Sequence, residues 1–148
     1  MISNTIDQEI KQAMLAKDQA RLRGLRAIKA ALLLARTEKG QAEEITADGE
    51  LKILQRLIKQ RKESADIYNQ QGRQDLAVVE EEEIAVIAQF MPAQLDREAV
   101  EKLIADIIAG AGATSVKDMG KVMGLANKEL AGKADGKLIA EIVKAQLA

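Results

Sequence analysis

The sequence predicts an all-α protein. Apolar residues recur at helical spacing along most of the chain, no segment alternates apolar and polar residues as a half-buried strand does, and Ala, Leu, Ile, Lys and Glu dominate the composition. The predicted architecture is an N-terminal helical part with a long antiparallel helix hairpin, followed by a small three-helix C-terminal bundle. We place the N-terminal domain over residues 1–92 and the C-terminal domain over residues 93–148.

Capping residues place the first two helices. Ser3 or Asn4 is expected to cap a first helix that runs to about Lys17, and Asp18 is expected to cap the second. The second helix is basic and should end at Gly40. Its apolar residues fall on one side of the helix: Leu25, Ile28, Leu32 and Ala35.

A polar loop over residues 41–48 should precede a long helix hairpin. The first arm starts near Asp48 or Gly49, and Gly72 suits the left-handed conformation that ends it. The second arm should stop before Pro92, because a residue that precedes proline disfavours a helical backbone. Each arm carries an apolar stripe: Leu51, Leu54, Ile58, Ala65 and Tyr68 on the first, and Leu76, Val79, Val86, Ile87 and Phe90 on the second.

One charge interrupts each stripe of the hairpin, Arg61 on the first arm and Glu83 on the second. A lone charge on a buried face is costly, so we predict that Arg61 and Glu83 form a structural ion pair across the hairpin. The alternative is that both side chains extend to the edge of the interface. The glutamate run 80–83 does not predict a metal site, because consecutive helical residues point in different directions.

Three short helices are predicted after the proline. Asp96 should cap the first, and Asp135 should start the third. Ser115 followed by Asp118 resembles a capping box and should start the second helix. Gly132 should end that second helix.

The glycines of this C-terminal part favour turns and packing over a nucleotide site. A phosphate-binding loop needs a preceding strand and a Gly-Lys pair followed by Ser or Thr, whereas Val122 follows Gly120 and Lys121 here. We interpret residues 110–115 as a turn between helices. Gly120 and Gly124 lie four residues apart and are interpreted as allowing close helix packing.

The composition excludes several kinds of catalytic site. The chain has no cysteine and no histidine, which excludes disulfides, thiolate nucleophiles, Cys/His zinc sites and imidazole bases. No serine stands in a nucleophile-elbow setting. We therefore expect no catalytic residue, no metal and no cofactor. The polar N-terminal segment and the lack of a long apolar run favour a bacterial-type cytoplasmic protein without a membrane contact.

The charge pattern limits how the chain binds nucleic acid. A net charge of −1 is not that of a generally basic binder, so RNA contact needs a local patch. One candidate patch is the basic helix from Arg21 to Lys29. Tyr68 and Phe90 are the only aromatic residues, so RNA would be read through its backbone and shape. The other candidate patch consists of five C-terminal lysines: Lys117, Lys121, Lys128, Lys133 and Lys137.

Three segments, KQRKESADIYNQQGRQDLAVVEEEEI, SVKDMGKVMG and GKADGKLIAEIVKAQL, closely resemble the YqeY family. The resemblance spans nearly the whole chain. In the C-terminal part the matching residues are Met119, Gly120, Met123, Gly132, Asp135 and Gly136. In the hairpin they are Gln60, Arg61, Lys62, Ser64, Tyr68, Gly72, Arg73, Asp75, Leu76, Glu80, Glu83, Ile84 and Pro92.

YqeY proteins resemble the C-terminal tail of GatB, a subunit of the aspartyl/glutamyl-tRNA amidotransferase. That enzyme is a carbon–nitrogen ligase with glutamine as amido donor, and its GatB tail contacts the tRNA body. The resemblance thus implies a tRNA-binding or amidotransferase-associated module without its own active site, since this chain lacks the catalytic portion of GatB. Two alternatives stay open: a protein-interaction adaptor with an amidotransferase or translation-related partner, and an accessory to the ligase activity.

Overall fold

The computed structural model of the protein describes residues 1–38 and 44–148. All regular secondary structure in these residues is helical, so the all-α prediction is confirmed. The predicted end of the second helix at Gly40 lies outside the described residues, as do residues 41–43 of the predicted loop. The described residues form seven α-helices: α1 Ile2–Leu15, α2 Gln19–Glu38, α3 Ala47–Gln70, α4 Gln74–Ala88, α5 Arg97–Ala111, α6 Met119–Glu129 and α7 Gly136–Leu147. A 3₁₀ turn at Val116–Asp118 directly precedes α6.

The chain forms two compact units, Met1–Met91 and Pro92–Ala148. The first unit contains α1 to α4, and its fully buried core side chains include Leu25, Ile28, Leu54 and Ile87. The second unit contains α5 to α7, and its core includes Val100, Ile104, Val122 and Val143. Each unit therefore buries an apolar cluster of its own. The predicted division into domains 1–92 and 93–148 stays a prediction.

Local signals place most helix ends correctly. Gly72 and Gly132 have φ angles of 72° and 74°, which confirms the left-handed glycine predicted at the end of α3 and the predicted glycine after α6. The side chains of four predicted caps accept backbone N–H groups: Asp18, Asp96, Ser115 and Asp135. The cap of α3 differs, because Thr46 accepts the N–H of Gly49 at 3.0 Å.

Helix α1 is capped by a residue far along the chain. The prediction that Ser3 or Asn4 caps it is wrong, because the helix begins at Ile2. The N–H groups of Ile2 and Ser3 donate to the Glu50 carboxylate at 2.9 and 3.0 Å. Glu50 is 2 % exposed and is the one buried charged residue in the described ranges. The partial positive charge at the start of α1 helps to offset the cost of burying this carboxylate.

Replacing Glu50 by alanine should lower the free energy of unfolding by about 2 kcal/mol, because two N–H groups lose their acceptor. Glu50→Gln retains one acceptor oxygen and should cost less. Urea denaturation measures both effects. Glu63→Ala is the matched control, since Glu63 is an exposed residue of the same helix. Wild-type stability in the Glu50→Ala protein would contradict the capping role.

The apolar stripe of α4 is shifted from its predicted position. Val79 was expected on the buried face, and this prediction is wrong because Val79 is 38 % exposed. Ala77 is buried instead, at 1 % exposure. The reason is tertiary, since α4 packs against both α2 and α3 and the position of its buried face depends on both of these helices.

Helices α2 and α4 approach each other closely at Gly24. A Cβ atom at Gly24 would lie 2.6 Å from both Cβ and Cγ1 of Val86, so the packing requires a glycine there. The opposite holds for Gly120 and Gly124. A Cβ atom at either position would meet no atom within 4 Å, and the prediction that these glycines allow close packing within the chain is wrong.

Candidate functional site

Glu83 lies where α2, α3 and α4 meet. Arg61 of α3 donates through Nε to Glu83 Oε2 at 2.9 Å. Arg23 of α2 places its Nε 3.9 Å from Glu83 Oε1 and donates through Nη2 to Glu82 at 2.6 Å. We call these four residues, Arg23, Arg61, Glu82 and Glu83, the Glu83 cluster. The carboxylate of Glu83 therefore has a guanidinium group from each of two neighbouring helices beside it.

The centre of the Glu83 cluster is shielded from solvent. The side chains of Arg61 and Glu83 are 18 % and 16 % exposed, and Arg61 Nη1 also donates to the carbonyl of Leu57 at 3.4 Å. The Nε of Arg23 is buried and has no hydrogen-bond partner among the described residues. Sequence reasoning placed Arg61 beside Glu83 but missed Arg23. The available signal was the neighbouring Gly24, because a glycine inside a helix indicates close approach of another element.

The other family-matching residues of the hairpin lie on its two arms and at its turn, except Pro92, which follows α4 and begins the second unit. At the turn, Arg73 donates to both carboxylate oxygens of Asp75 at 3.2 and 3.1 Å, and this hydrogen bonding lowers the pKa of Asp75. Gly72 forms the turn itself. The exposed members are Gln60 and Lys62, and the partly buried members are Ser64, Tyr68, Glu80 and Pro92. A functional role for these residues stays a prediction.

The basic helix α2 has most of its cations engaged in ion pairs. Besides its ion pair with Glu9, Arg21 donates to the side chain of Gln89 at 2.6 Å. Such pairs must break or be shared before the cations can neutralise phosphate groups, which weakens the interpretation of α2 as an RNA surface. Each pair has an N–O distance of 2.6 Å: Arg21 with Glu9, Arg23 with Glu82, and Lys29 with Asp7.

Unlike the paired cations of α2, the five candidate lysines of the second unit have no ion-pair partner among the described residues. All five are exposed: Lys117, Lys121, Lys128, Lys133 and Lys137. The ion pairs found in the described part of this unit are those of Arg97 with Glu101 and Glu141. The ammonium groups of the five lysines are therefore free to meet an anionic partner.

Two of these lysines border a groove between the C-terminal end of α5 and α6. Lys121 and Lys128 are seven residues apart, so they lie on one face of α6, with Leu125 between them. Lys117, Lys133 and Lys137 do not line this groove. We call it the α6 groove; it has a volume of about 690 Å³ and is lined by Ile107, Gly110, Ala111, Lys121, Leu125, Lys128 and Glu129.

The α6 groove combines an apolar floor with a cationic edge. Leu125 is 44 % exposed within it, and Glu129 places one carboxylate on the same lining. Among the residues that the structure describes, no three carboxylates gather as a metal site would require. Nor is any helix in the described ranges both long enough and apolar enough to cross a bilayer.

The fold defines a small helical protein in which a four-helix unit with a long hairpin is followed by a three-helix unit. The family model described as "Yqey-like protein" matches residues 3–147, and the chain belongs to the YqeY family. The family resemblance of the hairpin and C-terminal segments is thereby confirmed.

Two curated fungal relatives are similar to the chain, and both are called "Altered inheritance of mitochondria protein 41, mitochondrial". The protein of Vanderwaltozyma polyspora is 33 % identical over 125 residues, which cover 77 % of this chain and 64 % of the relative. The protein of Clavispora lusitaniae is 30 % identical over 103 residues, which cover 68 % of this chain and 59 % of the relative. The matched part of the chain thus spans 64 % and 59 % of these relatives.

Proposed function

We propose that this protein is an RNA-binding helical module with tRNA as its RNA class, acting beside an amidotransferase or another translation-related protein. One contrast supports the proposal: three of the five cations of α2, Arg21, Arg23 and Lys29, are held in ion pairs, whereas the C-terminal lysines are exposed and free. A free lysine displaces counterions from a phosphate without first losing a partner, so it contributes more to RNA affinity. The resemblance of the family to the GatB tail supplies tRNA as the RNA class.

No active site is part of this proposal. Amide transfer needs an activated carboxyl group, a source of ammonia and groups that move protons. The chain has no cysteine or histidine, and its resemblance is to the non-catalytic tail of the amidotransferase. A role in glutamine-dependent ligase activity would thus be that of an accessory to partner subunits. The purified chain alone should yield no glutamine-dependent product with misacylated tRNA.

Filter binding of the full chain to bulk tRNA at several salt concentrations tests the proposal. Each phosphate contact contributes about −0.9 to the slope of log affinity against log salt, so two to five lysines predict a slope of about −2 to −4.5. Affinity should be weak and should fall steeply as salt increases. The absence of binding at low salt, or binding that does not respond to salt, would contradict the proposal.

A second candidate is a protein-interaction adaptor. It is favoured by apolar side chains that lie open on the second unit, namely Leu125 and Val116 at 44 % and 51 % exposure. An adaptor would retain its partner after RNase treatment and would depend little on salt. A pull-down from native lysate, divided into samples with and without RNase, separates the two candidates.

A cytoplasmic location stays a prediction for this chain. The names of the relatives place those proteins in mitochondria. A bacterial-type role beside the translation machinery is likewise a proposal. Cell fractionation followed by detection of the native protein tests the location, and co-sedimentation with tRNA or amidotransferase subunits tests the role.

A further inference from the structure

We infer that the α6 groove binds the phosphate backbone of double-helical RNA, in preference to single-stranded RNA and without reading the base sequence. The inference rests on the proposed function and names the form of RNA that this surface binds. It is carried by the free cations of the groove, by the rigidity of the helix that holds them, and by the absence of aromatic side chains from this unit.

The two cations of the groove are held on a rigid element. Lys121 and Lys128 are separated by about 10 Å along α6, because each residue of an α-helix rises 1.5 Å. A double helix presents phosphates at regular, fixed positions, so its own backbone needs no further ordering to meet such a pair. A flexible single strand must lose conformational freedom to place two phosphates at the same separation.

The second unit has no aromatic side chains on which the bases of single-stranded RNA could stack. Proteins that bind single strands usually stack bases on aromatic side chains, at about 1–3 kcal/mol per base. Both aromatic residues of the chain, Tyr68 and Phe90, lie in the first unit, and residues 92–148 contain none. The ordering of a single strand is therefore not offset by stacking. Shape and backbone contacts, which dominate recognition of RNA duplexes, are what this surface can offer.

Two glycines leave free space beside α6 and the end of α5, where the backbone of a duplex would approach. Gly124 lies between Lys121 and Lys128, and a Cβ atom there would meet nothing within 4 Å. The same is true of Gly110 on the α5 side of the groove. Glu129 acts in the other direction, because its carboxylate repels phosphate from the same lining.

Fluorescence anisotropy with two labelled RNAs of equal length tests the inference on the full chain. One RNA forms a stable hairpin stem, and the other is an unstructured single strand. The stem should bind about tenfold more tightly, because only the single strand must lose conformational freedom without a gain from stacking. A change of the stem sequence at constant length should leave the affinity unchanged. Equal or tighter binding of the single strand would overturn the inference.

Charge-reversal variants test whether the RNA stem binds at the α6 groove. The double variant Lys121→Glu with Lys128→Glu should weaken binding of the stem more than about tenfold and reduce the salt slope by about 2. The matched control is Lys102→Glu with Lys144→Glu, which makes the same change in charge at exposed lysines of α5 and α7 outside the groove. Its effect should be less than about threefold. Equal losses in the two double variants would overturn the assignment to the groove.

One further variant tests the lining itself. Glu129→Gln should strengthen stem binding by a few-fold because it removes a repulsive charge. Circular dichroism and urea denaturation confirm that each variant is folded.

The outcomes separate the inference from the proposed function. If the wild-type chain binds neither tRNA nor the stem at low salt, the proposed function fails and the inference fails with it. If the chain binds tRNA with the predicted salt dependence but prefers the single strand, or is insensitive to the groove variants relative to their control, the proposed function stands. The inference about the α6 groove alone is then wrong.

Discussion

The Glu83→Ala substitution is expected to lower the free energy of unfolding by about 3 kcal/mol, because it leaves two guanidinium groups without their shared carboxylate. Arg61 would lose its 2.9 Å hydrogen bond, and Arg23 would lose the nearest compensation for its buried Nε. The two cations would then repel each other in a partly buried place. Urea denaturation measures the loss. Glu81→Ala is the control, since Glu81 belongs to the same run but is exposed.

The cluster predicts an asymmetry between the partners. Arg61→Ala should cost less than Glu83→Ala, at about 2 kcal/mol, because Arg23 still lies beside the Glu83 carboxylate. The double variant Arg61→Met with Glu83→Leu should recover the part of the loss that comes from the unpaired Arg61, since apolar side chains of similar size often replace a buried pair without cost. Arg23 then keeps only its pair with Glu82. A double-mutant cycle measures the coupling. Strictly additive losses for Arg61 and Glu83 would contradict a structural pair.

Gly24→Val is expected to destabilise the protein by about 3 kcal/mol through overpacking. Its Cβ would lie 2.6 Å from Cβ and Cγ1 of Val86, so α2 and α4 would have to separate. Gly24→Ala should be milder, because alanine raises helix propensity by about 1 kcal/mol while introducing the same clash. Thermal or urea unfolding gives both values.

A control variant and a compensating double variant test the Gly24 prediction further. Gly124→Ala is the matched control, because it is also a glycine inside a helix but has free space, and it should stabilise the protein by up to about 1 kcal/mol. Val86→Gly combined with Gly24→Ala should show favourable coupling, since it moves the small residue to the facing helix. A Gly24→Val protein as stable as the wild type would show that α2 and α4 are not in close contact at this position.

Much of the helical framework could be predicted because its signals are local. Gly72 ends α3 through its own left-handed conformation, and Asp96 and Asp135 cap helices through N–H groups two or three residues away. Apolar spacing identified the buried face of α2 for the same reason, since helical periodicity belongs to the chain itself. The Arg61–Glu83 contact was also accessible, because two arms joined by a tight turn have a restricted register.

The candidate functional site was only partly accessible from the sequence. The C-terminal lysines could be named from charge alone, but their number did not reveal which of them share a surface. The α6 groove joins Lys121 and Lys128 because α6 packs beside the end of α5, and it leaves Lys117, Lys133 and Lys137 elsewhere on the unit. Likewise, the cations of α2 formed a basic run in the sequence, and Arg21, Arg23 and Lys29 are paired only once α1 and α4 bring carboxylates to them.

The sequence by itself determined the helices, most of their ends, the family and the absence of thiol and imidazole chemistry. Only the tertiary structure decided that Glu50 caps α1 across 47 and 48 residues, that Arg23 joins Arg61 at Glu83, and that Gly24 rather than Gly120 or Gly124 is a packing glycine. The physical reason is the range of the interactions. Caps and helical periodicity act within one or two turns, whereas the partner of a buried charge and the space beside a glycine depend on which helix packs there.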